Sequence, residues 1–365
     1  MQVVADQAGI SLATVSYALR NHPSIPPATC KRIQAVARKL GYRPNPLIST
    51  LMSHLRTTRA TEYFETLAYI TSHSANDVWH HKPIYRDFYA GAQARADEQG
   101  FKLEEFWLQA PGMTPDRMNQ VLRARGIRGI LIAPLPQPRS QLSLDWSRFS
   151  AATIGWSLAY PALHRAVCHH YHAIRQALKQ LSHLGYRRIG LAVKSAFDER
   201  VDNNWQAGFA VYQQSVRKAN RIPILFMGDS NQHLFAQWFM QHHPDAVIAE
   251  TQVLDWLRAI GQRVPKDVGF AGLEVSAMPR GTAAIDQHIR VMAAAAVDLI
   301  VGQLHCNECG IPPIPKIVMI ETTWVGGKTV RNLNQHPAPT KNISSLPDDK
   351  HARRPVASAT QEHLR

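Results

Sequence analysis

Three histidines within four positions, His169, His170 and His172, and a Cys-x-x-Cys pair, Cys306 and Cys309, have the residue types and spacing for metal chemistry. Imidazole and thiolate are zinc's preferred ligands, but a fixed site needs four of them, or three with water. The histidine run offers no fourth ligand, and the cysteine pair has no second pair or matching histidines. No metal is therefore expected: the histidines read as surface or cleft side chains, and the thiols as part of a helix-end turn. The sequence contains no Gly-rich phosphate loop, no Gly-x-Ser-x-Gly and no His-Glu-x-x-His. No catalytic residue or cofactor is assigned, and the chain does not read as an enzyme. Four cysteines, at 30, 168, 306 and 309, are too few and too scattered for a disulfide framework and fit a reducing cytoplasm.

Charge gives the next direction. Across 365 residues the formal net charge is +14, and residues 1 to 60 hold eight basic side chains against Asp6 alone. A basic head thus precedes a nearly neutral body, the pattern of a polyanion-binding module joined to something with a different task. Nucleic acid is the expected polyanion and an anionic membrane the lesser alternative. With no apolar stretch free of charge and long enough to span a bilayer, no membrane association is expected.

The elements that must position these charges are legible. Val3 to Ala8 and Leu12 to Leu19 have helical patterning around a Gly9-Ile10-Ser11 break, with Ser11 placed to cap the second helix. Pro26-Pro27 opens a third helix in which Ile33, Val36, Ala37 and Leu40 share one face. Ala5, Gly9 and Val15 have the spacing of a helix-turn-helix: a small residue at the crossing, a turn residue tolerating positive φ, and a branched apolar residue inside. Val15 and Leu19 then face Val4 and Ala8, Leu12, Ala13, Ser16 and Tyr17 point into a major groove, and Ser11 and Thr14 approach phosphates. From 63 to 325, apolar runs such as Leu67 to Ile70, Gly129 to Leu135, Ile189 to Val193, Ala246 to Ala249 and Ile317 to Glu321 alternate with helical stretches. This is an α/β body with parallel sheets flanked by helices, and its nine candidate strands call for two lobes with a cleft between them. Residues 331–365 read as a disordered tail.

Val4 to Leu19, Gly41-Tyr42-Arg43-Pro44-Asn45-Pro46, Leu184 to Gly190, Gly208-Phe209 and Val264 to Gly272 together resemble the lactose-repressor (LacI/GalR) family of bacterial regulators. The resemblance implies an all-α helix-turn-helix headpiece at 1–44, a hinge helix and linker at 45–61, and a periplasmic-binding-protein-like effector domain at 62–330. In that domain the first lobe takes 62–157 and 286–315, and the second takes 158–285 and 316–330. It further implies a homodimer on a pseudo-palindromic double-stranded DNA operator, cytoplasmic and nucleoid-associated when bound, regulated by a small-molecule effector of carbohydrate type. The alternative is a sugar-binding protein without DNA binding. By the same resemblance Leu12, Ala13 and Tyr17 read bases, and Ser11, Thr14, Ser16, Thr29 and Asn45 contact the backbone. Leu51 is either a minor-groove wedge or a packing residue of the linker. Tyr17 stands where many members carry Arg, so it lacks bidentate guanine recognition.

For the effector, the family's positions fall on His169, Trp205 and Glu274. Trp156 and Trp205 are either stacking surfaces for a sugar or core residues, and Tyr85, Asn203 and Glu274 are candidate hydroxyl partners.

Overall fold

The computed structural model describes residues 2–19, 22, 24–41, 65–74, 81–228 and 231–334. Asn45, Leu51 and the hinge lie outside the described residues.

Helices α1 (Gln2–Ala8), α2 (Leu12–Leu19) and α3 (Pro27–Lys39) form the headpiece. Val4, Ala5, Val15, Ala18, Cys30, Ile33 and Ala37 are buried together. Ala18 takes the inward place expected of Leu19, which is only half-buried, as is Ala8. Lys31, Arg32, Arg38 and Lys39 line the exposed side of α3.

The first lobe begins with β1 (Glu65–Thr71), α4 (Pro83–Glu98), β2 (Phe101–Trp107), α5 (Pro115–Ala124), β3 (Gly129–Ile132), β4 (Ser140–Gln141), β5 (Ser150–Ile154), β6 (Leu158–Tyr160) and β7 (His164–Cys168). The second lobe holds α6 (His170–His183), β8 (Ile189–Lys194), α7 (Ser195–Glu199), α8 (Asn204–Ser215), β9 (Leu225–Met227), α9 (Gln232–His242), β10 (Ala246–Ala249), α10 (Gln252–Ala259), β11 (Gly269–Gly272) and β12 (Ala284–Asp286). The chain returns through α11 (Ile289–Cys306) and β13 (Ile317–Ile320) to the first lobe and ends on β14 (Thr323–Val325) in the second. The sheet orders are β13-β7-β5-β3-β1-β2 and β14-β12-β11-β10-β8-β9. All pairings in these two sheets are parallel except β12 with β14. Strands β3, β5 and β10 are buried throughout, as expected where helices cover both faces of a parallel sheet.

Two boundaries differ from those expected. The first crossing falls between Cys168 and His170 rather than at 157, and the last between Ile320 and Thr323 rather than at 315. Strand β7 escapes a hydrophobic scan because it opens His164-Arg165. Both are buried: His164 Nδ1 accepts the Lys316 amide at 2.8 Å, and Arg165 donates to Leu158 O at 3.2 Å. Residues 331–334, expected in a disordered tail, are instead held in place. The Arg331 amide donates to Tyr186 Oη at 3.0 Å and the Leu333 amide to Leu184 O at 2.7 Å, so 331–334 pack on the second lobe.

Helix α11 is long and apolar enough to cross a membrane by length and composition. It is instead the core helix of the first lobe, with Ile289, Met292, Ala293, Ala296, Val297 and Ile300 buried against α4 and the sheet. Its polar edge is paired: Asp298 accepts from Arg95 at 2.7 Å, and Arg290 donates to Asp87 at 2.8 Å. A Cβ on Gly91 would come within 2.4 Å of Arg290 O, so glycine permits the close approach of α4 to α11.

Candidate functional site

In the headpiece, the turn before α2 is made by Gly9 at φ +63°, and the Ile10 amide donates to Ala5 O at 3.1 Å. Ser11 then caps α2. Its Oγ accepts the Thr14 amide at 3.1 Å and lies 2.8 Å from the Thr14 hydroxyl. Tyr17 is 42% exposed and stacks on His22, with centroids 4.5 Å apart. Thr29 is half-buried in the first turn of α3. For Leu12, Ala13 and Ser16 the helical backbone alone is described.

The second site is a cavity of about 380 Å³ between the lobes. It lies at the carboxyl ends of the parallel strands, where open α/β sheets bind ligands. Trp156 follows β5, Lys194 ends β8, Glu250 follows β10 and Glu274 follows β11, while α4 supplies Tyr85 and Phe88. Glu274 is 3% exposed, and its two carboxylate oxygens accept the Ser276 amide at 2.8 Å and the Gln287 amide at 3.1 Å. Burial still raises its pKa above the ordinary carboxylate value. His170, the first residue of α6, also lines the cavity, and burial pushes its pKa down to about 3, leaving a neutral ring. Arg200 Nη2 lies 3.5 Å from Tyr85 Oη on the opposite lobe. Arg165 sits 5.5 Å from the Trp156 ring centroid and braces the indole.

Four lining atoms, Trp156 Nε1, His170 Nδ1, Arg200 Nε and Gln252 Nε2, are buried with no hydrogen-bond partner among the described residues. Three of them are obligate donors. Buried polar groups without partners are costly, and acceptor atoms of a ligand or of water entering the cavity would satisfy these. Flat aromatic faces beside such polar groups suit a polyhydroxylated molecule.

Residues 1–45 match the profile of bacterial regulatory proteins of the lacI family, and 178–330 match a periplasmic binding protein-like domain. The chain is thus similar to lacI-family regulatory proteins at its N-terminus and to periplasmic binding proteins in its body. It is 26% identical over 319 residues to the HTH-type transcriptional regulator PtxS of Pseudomonas plecoglossicida, covering 84% of this chain and 89% of the relative. It is 24% identical over 347 residues to the regulator CelR of Thermobifida fusca, covering 83% and 92%. Its fold resembles that of a CelR–cellobiose complex (TM-score 0.54, 20% identity, 89% of this chain and 98% of that one). It also resembles the lac repressor dimer bound to operator and an anti-inducer (TM-score 0.52, 18% identity, 90% and 98%).

The glycines at the landmark positions Gly208 and Gly269 have packing reasons. A Cβ on Gly208 would fall 2.3 Å from Ile174 Cγ2, so glycine lets α8 lie close on α6. The Tyr186 ring covers Gly269, where a Cβ would meet Cζ at 2.7 Å.

Of the sequence-predicted effector residues, Tyr85, Trp156 and Glu274 line the cavity, and His169, Asn203 and Trp205 do not. His169 stands one residue before α6, and the neighbouring His170 takes the inward position instead. Asn203, at φ +57°, forms the left-handed turn into α8 and accepts from Gln206 Nε2 at 2.9 Å. Trp205 is fully buried in the second-lobe core; the Asp198 carboxylate accepts its amide at 3.0 Å. Sequence reasoning missed His170, Lys194, Arg200, Glu250 and Gln252. Lys194 and Glu250 carry a usable signal, since each sits at the carboxyl end of a strand.

Proposed function

We propose that this chain is a sequence-specific DNA-binding transcriptional regulator, acting as a repressor, whose operator affinity is set by a sugar or sugar derivative held between the lobes. It works by binding rather than catalysis. The observation that carries the reading is the combination, in one chain, of a Ser11-capped helix on a basic headpiece with an interlobe cavity walled by unpartnered donors. The relatives named as regulators and the sugar complexes among the solved structures support it.

On this reading Leu12, Ala13 and Tyr17 read base edges, Ser11, Thr14, Ser16, Thr29 and Asn45 fix the headpiece on phosphates, and Leu51 wedges into the minor groove. Two copies pair on a pseudo-palindrome. Tyr85, Trp156, His170, Arg200, Gln252 and Glu274 hold the effector, which shifts the lobes, and through them the hinges, only by its differential affinity for the two arrangements.

Selection of bound duplexes from a random pool with the purified full chain tests this. Enrichment of one palindrome, with binding altered by a sugar, is the expected result. Failure to enrich any sequence, together with retained sugar binding, would favour the stand-alone sugar-binding alternative.

A further inference from the structure

The histidine run, which lacks a metal site when read along the sequence, gains a ligand in three dimensions. His169 joins β7 to α6, and His172 lies within the first turn of α6. Their rings stack 3.7 Å apart with 14° between planes. Glu321 follows β13, about 150 residues later in the chain, and brings Oε1 to 3.4 Å from His172 Nδ1. One ligand atom from each of the three residues lies within 4.8 Å of the others.

Sheet register explains the meeting. Cys168 lies opposite Ile320 in the parallel β7–β13 pair, and the His169 amide donates to Ile320 O at 3.0 Å. His169 and Glu321 therefore leave the first sheet side by side, each at a crossing into the second lobe. One residue on, Thr322 donates its hydroxyl to Gln176 Oε1 at 3.1 Å, holding the outgoing chain against α6.

We propose that His169, His172 and Glu321 bind one borderline divalent cation, with zinc as the reference ion, and that the ion ties together two of the three crossings between the lobes. Two imidazoles and a carboxylate, with water in the fourth position, are a donor set that zinc accepts. Donor atoms about 2.0–2.2 Å from a tetrahedral ion stand about 3.4 Å apart, so the His172–Glu321 pair is already at ligand spacing. The stacked rings hold their lone pairs in near-parallel planes, so His169 must turn its ring out of the stack to join them. With side-chain exposures of 52% for His172 and 70% for Glu321, an ion can enter and keep a water. His170, between the two ligands in sequence, faces the effector cavity and takes no part. An ion here cross-links two of the segments that join the lobes, from outside the effector cavity. The site stands or falls independently of the effector's identity.

The test uses the full chain, dialysed against a chelator and carrying Cys306→Ser and Cys309→Ser to remove the exposed thiols. Zinc chloride is titrated calorimetrically, and amide hydrogen exchange is measured with and without zinc. The expected result is one ion per chain, with exchange slowed in 168–173 and 320–323. Glu321→Gln and His172→Ala should each weaken binding by about tenfold or more and abolish that protection. Both side chains are exposed, so circular dichroism should show the variants folded. Absence of binding, binding undiminished in both variants, or protection confined to other segments would overturn the proposal.

Discussion

The His170 imidazole stands edge-on to the Trp205 indole, with ring centroids 5.0 Å apart and planes at 73°. Trp205, fully buried, supports from behind a residue that lines the interlobe cavity. Trp205→Ala should therefore lower second-lobe stability by about 3–5 kcal/mol, the usual cost of emptying a large aromatic site. Urea unfolding followed by circular dichroism measures it, and a loss below about 1 kcal/mol would contradict this core role.

Burial also fixes a pH dependence. Desolvation lowers the His170 pKa to about 3, from an ordinary value of 6.5. Between these values the unfolded chain holds a proton that the folded chain refuses. The stabilising contribution is thus complete above about pH 6.5 and declines on acidification toward pH 3, by at most about 1.4 kcal/mol per unit. His170→Gln should flatten the difference in unfolding free energy between about pH 7 and about pH 5.5 relative to the parent chain. Equal slopes in the two proteins would show that His170 does not titrate on unfolding.

The close approach of α4 to α11 predicts a stereochemical sensitivity. In Gly91→Ala the new methyl meets the Arg290 backbone rather than a movable side-chain end, so the helices must separate. A loss of about 1–3 kcal/mol is expected. Thermal unfolding indistinguishable from the parent would contradict the contact.

Tyr17 gives a specificity prediction. On the proposed function, its exposed ring contacts a thymine methyl or makes a single hydrogen bond, whereas arginine there can grip guanine O6 and N7. Tyr17→Arg should shift one position of each half-site toward guanine, with discrimination of about 1–3 kcal/mol. Repeated selection with the variant reads the shift, and an unchanged motif would remove Tyr17 from base reading.

Local chemistry is what the sequence displayed most clearly. Ser11 ahead of a helical run, Gly9 at a positive-φ turn and the unbroken apolar strands each carry their signal within a few residues. The missed features depended on distant partners. The polar start of β7 is satisfied by Lys316 and Leu158, which no local pattern reveals. Choosing His169 over His170 is an error of one residue, yet His169 is the non-helical residue before α6 and His170 its first helical one, so their side chains leave the backbone differently. Asn203 stays outside the cavity and the core alternative holds for Trp205, where the left-handed pair Asp202 and Asn203 redirects the chain before α8. Glu321 joins His169 and His172 only through β7–β13 register, so the histidine run alone could not reveal a third ligand.

The most direct test of the central claim is the salt dependence of duplex binding by the full chain, measured on the sequence that selection yields. A headpiece that neutralises several phosphates releases their counterions, so log affinity should fall linearly with log salt at a slope of about −0.9 per phosphate contacted. For about six or more contacts, affinity should drop by about a thousandfold or more between about 50 and 200 mM salt. The same titration with both Lys31 and Arg32 changed to Gln should show a shallower slope. Binding that is absent at low salt, or that does not respond to salt, would contradict a DNA-binding headpiece and with it the regulatory function.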